Sequence, residues 1–126
     1  MAELRAYQHL KRLMPKDTFF QRVETMAGAG IPDLYVCFRG KSTWVELKEG
    51  RWGADDCLKL KHIRTAQRAW AKQLHQSGGS VWLYVAVGRR EYYCLHPHYW
   101  PRLIEGMPRQ EVLDRSMNVL QVLGAR

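Results

Sequence analysis

Cysteine is scarce in this sequence, and the spacing of the cysteines excludes two classes of small protein. Cys37, Cys57 and Cys94 are an odd number without a close-spaced pair, so they indicate neither a zinc-binding motif nor a disulfide framework. Free thiols are typical of a reducing compartment. The first residues also lack the apolar centre of a signal peptide, and we therefore expect a cytoplasmic protein that is not secreted.

Long apolar runs are absent, and acidic residues are few. No stretch approaches the roughly 20 residues of a membrane-spanning helix, so no membrane partner is expected. The sequence has 12 Asp and Glu residues and 20 Lys and Arg residues, which gives a formal net charge of +8. This excess favours a polyanionic partner, above all nucleic acid, although some basic proteins bind no nucleic acid.

The residues that are present indicate one globular α/β domain. With 126 residues, 46% of them hydrophobic, the chain fits a single domain over 1–126. Helical periodicity occurs in three segments: residues 2–14, 65–76 (with Thr65 as the cap) and part of 108–123. Strand-like patterns occur in five: residues 18–25 (or a short helix), 33–38, 43–48, 81–87 and 91–95. Their order predicts helices packed on a mixed β-sheet, with 81–87 fully buried and 49–64 as an exposed basic loop.

Two of these strands are expected to form a hairpin with one apolar and one charged face. With a loop over residues 40–41 or 39–42, Tyr35 opposes Glu46 and Asp33 opposes Lys48. The pattern then gives one face to the charged and aromatic members: Asp33, Tyr35, Trp44, Glu46 and Lys48. The opposite face takes the aliphatic ones and a phenylalanine: Leu34, Val36, Phe38, Val45 and Leu47.

The charged face has the composition of a metal-dependent hydrolytic site. Two carboxylates that converge repel each other unless a cation lies between them. Oxygen ligands favour a hard ion such as Mg²⁺, with Mn²⁺ as a substitute, and the backbone carbonyl of Leu47 is a further candidate ligand. Lys48 could stabilise charge that develops on a phosphate. Taken singly, a strand Glu–Lys pair is often a solvated face and an Asp after proline a turn residue, but all three on one face favour a function.

Three motifs of the chain resemble those of the PD-(D/E)XK nuclease superfamily, and within it the virus-type replication-repair nuclease (VRR-NUC) group. They are a GxPD turn (GIPD, residues 30–33), a strand with E-x-K (VELK, 45–48), and a helix that starts with a short polar residue followed by Gln and Trp (TAQRAW, 65–70). The resemblance covers roughly residues 18–87. It implies a restriction-endonuclease-like core.

The resemblance also implies roles for individual residues. Asp33 and Glu46 would be metal ligands, Lys48 the catalytic lysine, and Gln67 a contact to the attacking water or the phosphate. The superfamily commonly supplies a further acid from before the GxPD turn, and here Glu24 or Glu3 would provide it, with Glu24 favoured.

The activity implied is Mg²⁺-dependent, structure-selective cleavage of branched DNA. Free-standing phage members of the group look like Holliday-junction resolvases that act as homodimers, so a phage or bacterial intracellular protein is expected. A junction with two-fold symmetry needs two sites related by a two-fold axis. The first helix or the apolar C-terminal segment would supply the dimer interface.

Two other functions stay open at this point. One is a restriction-type nuclease built on the same site, and the other is a non-catalytic basic DNA-binding accessory protein for recombination. Other side chains carry weaker signals. His96 and His98 could bind a metal but fit a surface turn better, and Trp52 and the lysines of 59–61 are candidate DNA contacts.

Overall fold

The computed structural model describes residues 4–23, 30–61 and 63–126. Seven strands are present in this part of the chain: β1 (Phe19–Arg22), β2 (Leu34–Phe38), β3 (Lys41–Gly50), β4 (Cys57–Leu58), β5 (Val81–Val87), β6 (Glu91–Leu95) and β7 (Met107–Pro108). Its helices are five, with a 3₁₀ turn at Pro97–Tyr99: α1 (Leu4–Leu13), α2 (Thr65–Gln76), α3 (Trp100–Glu105), α4 (Arg109–Arg115) and α5 (Val119–Val122). None of these helices is long and apolar enough to cross a membrane.

Five strands form one mixed sheet in the order β1-β2-β3-β5-β6. Strands β3 and β5 are parallel, and the other neighbours are antiparallel. The parallel pair needs a crossover, which α2 provides. A separate pair of short strands, β4 and β7, lies outside this sheet. The predicted mixed sheet flanked by helices is confirmed, as is the strand at Phe19–Arg22 where a short helix was the alternative.

The β2–β3 hairpin keeps its predicted faces but not its predicted register. The turn consists of Arg39 and Gly40, both with positive φ (48° and 85°), as in the two-residue turns that match the twist of a hairpin. Tyr35 therefore lies opposite Trp44 rather than Glu46. The expected pairs were wrong by two residues, and a shift of two leaves every side chain on its face.

Apolar side chains form a core on each side of this sheet. On one side α1 and α5 cover the strands, and the buried residues include Leu10, Leu34, Val36, Leu47, Val119 and Leu123. The other side, under α2, α3 and α4, includes Ala71, Leu83, Val85, Trp100, Leu103 and Val112. Strand β5 contributes alternate residues to both cores, which confirms it as a buried strand.

The segment 49–64 is not the exposed loop that its sequence predicts. Strand β3 continues to Gly50, and Leu58 lies in the short pairing of β4 with β7. Leu58, Leu60 and Ile63 are buried in the core under α3 and α4. Three apolar residues between charged ones show no helical or strand period, so the helices that bury them could not be anticipated from the segment itself.

The segments expected to form a dimer interface are largely used by the core. Their buried apolar residues include Leu10, Val112, Val119, Val122 and Leu123. Leu13 and Leu113 remain 40% and 47% exposed. Fewer apolar residues of α1 and the C-terminal segment are therefore left over for a dimer interface than the sequence suggests.

Candidate active site

The GxPD turn is fixed by a close contact between Gly30 and the first turn of α2. Gly30 has φ +78°, and a Cβ placed on it would lie 2.3 Å from the carbonyl oxygen of Ala66. Only glycine combines this backbone conformation with such an approach. Pro32 is buried behind the turn, and Asp33 follows directly before β2. The contact therefore brings Asp33 to the N-terminal end of α2.

Glu46 and Lys48 reach the same place from β3. The two side chains alternate with the core residues Val45 and Leu47, and they face the side of the sheet that α2 covers. Glu46 is 1% exposed and Lys48 is 9% exposed, because β3 lies between β2 and β5 in the interior of the sheet. A carboxylate of Asp33 accepts a hydrogen bond at 3.0 Å from the backbone N–H of Leu47, which ties the turn to this strand.

The carboxyl group of Glu46 lies in an unusual electrostatic environment. Its Oε1 atom is buried without a hydrogen-bond partner among the described residues. Burial, together with the hydrogen bond and the charge of the neighbouring Asp33, raises the pKa of Glu46 to about 9, although the charge of Lys48 opposes the shift. The ionised form is thus disfavoured in the protein alone, and a bound cation would reverse this.

These residues fit a hard divalent cation. An orphaned carboxylate oxygen on Glu46 and a second carboxylate on Asp33 provide oxygen ligands, and Mg²⁺ usually takes only one or two protein carboxylates. No group of three or more His, Cys, Asp or Glu side chains that could hold a metal occurs in residues 4–23, 30–61 and 63–126. The predicted further acid, Glu24 or its alternative Glu3, lies outside the described residues.

Gln67 lies at the start of α2 and is buried, 7% exposed. Its Oε1 accepts a hydrogen bond at 2.9 Å from the backbone N–H of Arg64, which satisfies a free donor at the helix N-terminus. The helix cap is Arg64 and not Thr65 as predicted. The side-chain oxygen of Gln67 is engaged in capping, so its amide NH₂ group is the part that could donate to a ligand. The backbone contact between Gly30 and the first turn of α2 places Gln67 beside the GxPD turn.

Other side chains singled out in the sequence have structural partners. The imidazole Nδ1 of His96 accepts from the backbone N–H of His98 at 3.1 Å, which closes the 3₁₀ turn. The indole of Trp52 donates to Glu91 and packs under the guanidinium of Arg109 at 4.1 Å. The motifs of the sequence assign no role to Arg68, yet its Nε is buried without a hydrogen-bond partner in the described part of the chain. The spacing of Arg68 and Lys72 by one helical turn was the available signal.

Comparison with known proteins identifies the fold. No protein-family model matches the sequence, and no curated protein does. Among solved structures the chain is similar to Hjc of Archaeoglobus fulgidus, a Holliday junction resolvase from an archaeal hyperthermophile, with a TM-score of 0.64 and 12% sequence identity. The match covers 95% of this chain and 97% of that one. The chain has the same fold as that protein. At this identity the likeness establishes the fold alone, and it confirms the α/β nuclease-type core expected from the motifs.

Replacing Glu46 with Gln should stabilise the metal-free protein at pH 8 by about 1 kcal/mol or more. The pKa of about 9 in the folded protein lies above the value of about 4.3 in an unfolded chain. The contribution of Glu46 to stability is therefore complete below the unfolded pKa and is lost as the pH rises toward 9. Urea unfolding in EDTA at pH 5 and pH 8 measures this.

The matched control is Glu49→Gln, which removes one exposed charge from the same strand. It should change the free energy of unfolding by less than about 0.5 kcal/mol. A gain for Glu46→Gln that is equal at the two pH values would contradict the prediction.

Gly30→Ala should destabilise the protein by more than about 2 kcal/mol and lower any activity of the site. Alanine adds the cost of a left-handed backbone, about 1–2 kcal/mol, to a steric overlap with Ala66. Gly78→Ala is the control, since Gly78 has φ +87° with no atom within 4 Å of the added Cβ. Chemical denaturation of both variants tests this, and equal losses would rule out the contact as the cause.

Proposed function

We propose that this protein is a metal-dependent, structure-selective endodeoxyribonuclease that hydrolyses phosphodiester bonds in branched DNA. The observation that carries the proposal is the buried carboxyl group of Glu46 beside Asp33 and Lys48, whose Oε1 has no hydrogen-bond partner in the described residues. A buried acid of this kind is costly without a cation. It occurs here at the N-terminal end of α2, in a fold shared with a Holliday junction resolvase.

The residues of the site would divide the chemistry among themselves. Asp33 and Glu46 would hold Mg²⁺, or Mn²⁺ in its place, with the Leu47 carbonyl and Glu24 as further ligands. The ion supplies a polarised phosphate and a water of lowered pKa. Lys48, on the same face of the sheet, would stabilise the charge that develops on the phosphate. The amide NH₂ of Gln67 would orient the attacking water or the phosphate.

Branched DNA is the substrate that the charge and the fold favour. A net charge of +8 suits the phosphate backbone, and the similar solved protein is by its description a Holliday junction resolvase. The Gln67-x-x-Trp70 start of α2 supports the narrower assignment to a phage-type VRR-NUC protein. Cleavage of a two-fold symmetric junction would require two copies of the site, so we propose a homodimer.

Asp33→Ala and Glu46→Ala should each lower the cleavage rate at least 100-fold while leaving DNA affinity unchanged or higher. A metal ligand is lost in each, and so is repulsion of phosphate. Lys48→Ala should be equally inactive although the two carboxylates remain. Cleavage of labelled junction, flap, fork and linear duplex DNA with Mg²⁺ and with EDTA measures this.

The same panel separates the alternatives. Cutting of linear duplex at a defined sequence would favour a restriction-type nuclease. Binding without metal-dependent cleavage by the wild type would favour a DNA-binding accessory protein and would contradict the proposed function.

The free protein should be a dimer at tens of micromolar in static light scattering. Leu13 of α1 and Leu113 of α4 are among the exposed apolar residues of those segments that could contribute to an interface, together with Leu4 and Met117. Leu113→Glu, or Leu13→Glu, should shift the mass toward that of a monomer. A wild-type monomer that makes both cuts in a junction in one binding event would contradict the homodimer, and it would leave the nuclease proposal intact.

A further inference from the structure

A cationic groove runs along α2, starting from the end that faces the candidate site. It has a volume of about 550 Å³, and α2 forms one wall and residues 96–101 the other. A cleft of this volume lies within the usual range for ligand sites, about 300–1,000 Å³. Its basic and imidazole lining residues are Arg68, Lys72, His75, His96 and His98. No carboxylate lines it, so the groove concentrates positive charge.

The two cations of the groove have no ionic partner of their own. Neither Arg68 nor Lys72 forms an ion pair with any acid in the part of the chain that the structure describes. Arg68 also has a buried Nε atom without a hydrogen-bond acceptor. A buried donor that lacks an acceptor costs about 1–3 kcal/mol. Arg68 lines the groove, so an oxyanion there would pair with its planar guanidinium, and phosphate matches that geometry best.

The opposite wall contains one imidazole whose surroundings favour the neutral form, that of His96. His96 packs edge-on against His75, with ring centroids 4.5 Å apart, and against Trp82 at 5.1 Å. Because its Nδ1 accepts the N–H of His98, the proton of a neutral His96 resides on Nε2. Burial, with His75 and His98 nearby, lowers the pKa of His96. When His96 is neutral, this wall therefore carries an uncharged N–H donor, at Nε2 of His96.

The groove begins at the first turn of α2, the turn that also carries Gln67 of the candidate site. Thr65 and Arg68, which line its near end, flank Gln67, the residue that lies against the GxPD turn. From Arg68 to Gln76 the helix rises about 12 Å. At about 3.4 Å per nucleotide of one strand, this length corresponds to about three nucleotides.

We infer that this groove binds the phosphate backbone of one DNA strand next to the scissile phosphate, with Arg68 and Lys72 as the phosphate contacts. The inference rests on the proposed function, since it assigns the path of the strand that the site would cut. It adds two positioning residues outside the acid–lysine set. They would hold the strand in register for cleavage and would read no sequence.

The test compares the double variant Arg68→Ala/Lys72→Ala with the wild type. Alanine favours helix, and circular dichroism checks that α2 persists. Binding of a labelled four-way junction is measured by fluorescence anisotropy in EDTA between 50 and 200 mM salt. The double variant should bind at least 10-fold more weakly at the low-salt end. Its slope of log K against log salt should be shallower by about 2, as expected when two phosphate contacts are lost.

The control removes the same charge elsewhere. Arg12→Ala/Lys16→Ala deletes two exposed cations at the end of α1, on the other side of the sheet. It should change the affinity less than 3-fold and the slope by less than about 0.5. Arg68→Lys is a second control. It keeps the charge and hence the slope, but it loses the planar donor group and should weaken binding several-fold.

The outcomes separate the two proposals. If the wild type cuts DNA and the double variant matches the α1 control in affinity and slope, the groove inference is wrong and the nuclease stands. If the wild type neither binds nor cuts any DNA of the panel, both are wrong. A double variant with an unchanged cleavage rate at saturation but a raised KM supports a role in holding the strand.

Discussion

The candidate site is arranged around one buried carboxyl group, that of Glu46 in the interior strand β3. An acid in this position opposes folding when it is ionised and alone, yet the strands on both sides, the turn at Gly30 and helix α2 all converge on it. Its Oε1 has no protein partner in the described residues. The surrounding elements therefore hold in place a group that a bound cation would stabilise, and a locally unfavourable residue of this kind is expected at functional sites.

Helix α2 links the separate parts of the site. Its first turn packs against Gly30. Gln67, its third residue, caps the helix through a hydrogen bond from the Arg64 N–H. Arg68 and Lys72 on one side of the helix line the groove. The same element thus positions the acid of the GxPD turn and the cations that would hold a strand. Local sequence and global packing agree here for Gly30 and Gln67, because each makes a contact with the first turn of this helix.

The sequence carries the faces of the hairpin more reliably than its pairing. Alternation along the strands decides which face Asp33 and Glu46 occupy, and a register shift of two residues does not change that face. The turn at Arg39-Gly40 decides the register. A two-residue turn of this type needs positive φ at both positions, and an arginine does not predict a positive φ. Burial of Leu58 and Leu60 depends on helices more than 40 residues away in sequence. The cap at Arg64 and the orphaned Nε of Arg68 depend on packing that no local pattern encodes. Periodicity therefore predicts the sheet and the acid–lysine face, whereas long-range contacts determine the groove.

The core behind β2 and β3 joins α1 near residue 10 with α5 near residue 120. The ribosome synthesises the chain from its N-terminus, so the hairpin with Asp33 and Glu46 leaves the ribosome long before α5, which covers the apolar side of that hairpin. Until residues 119–123 leave the ribosome, the apolar side of that hairpin has only part of its cover. Contacts between such distant segments slow folding, and the order of synthesis therefore delays full cover of the apolar side of the hairpin until translation has passed residue 123.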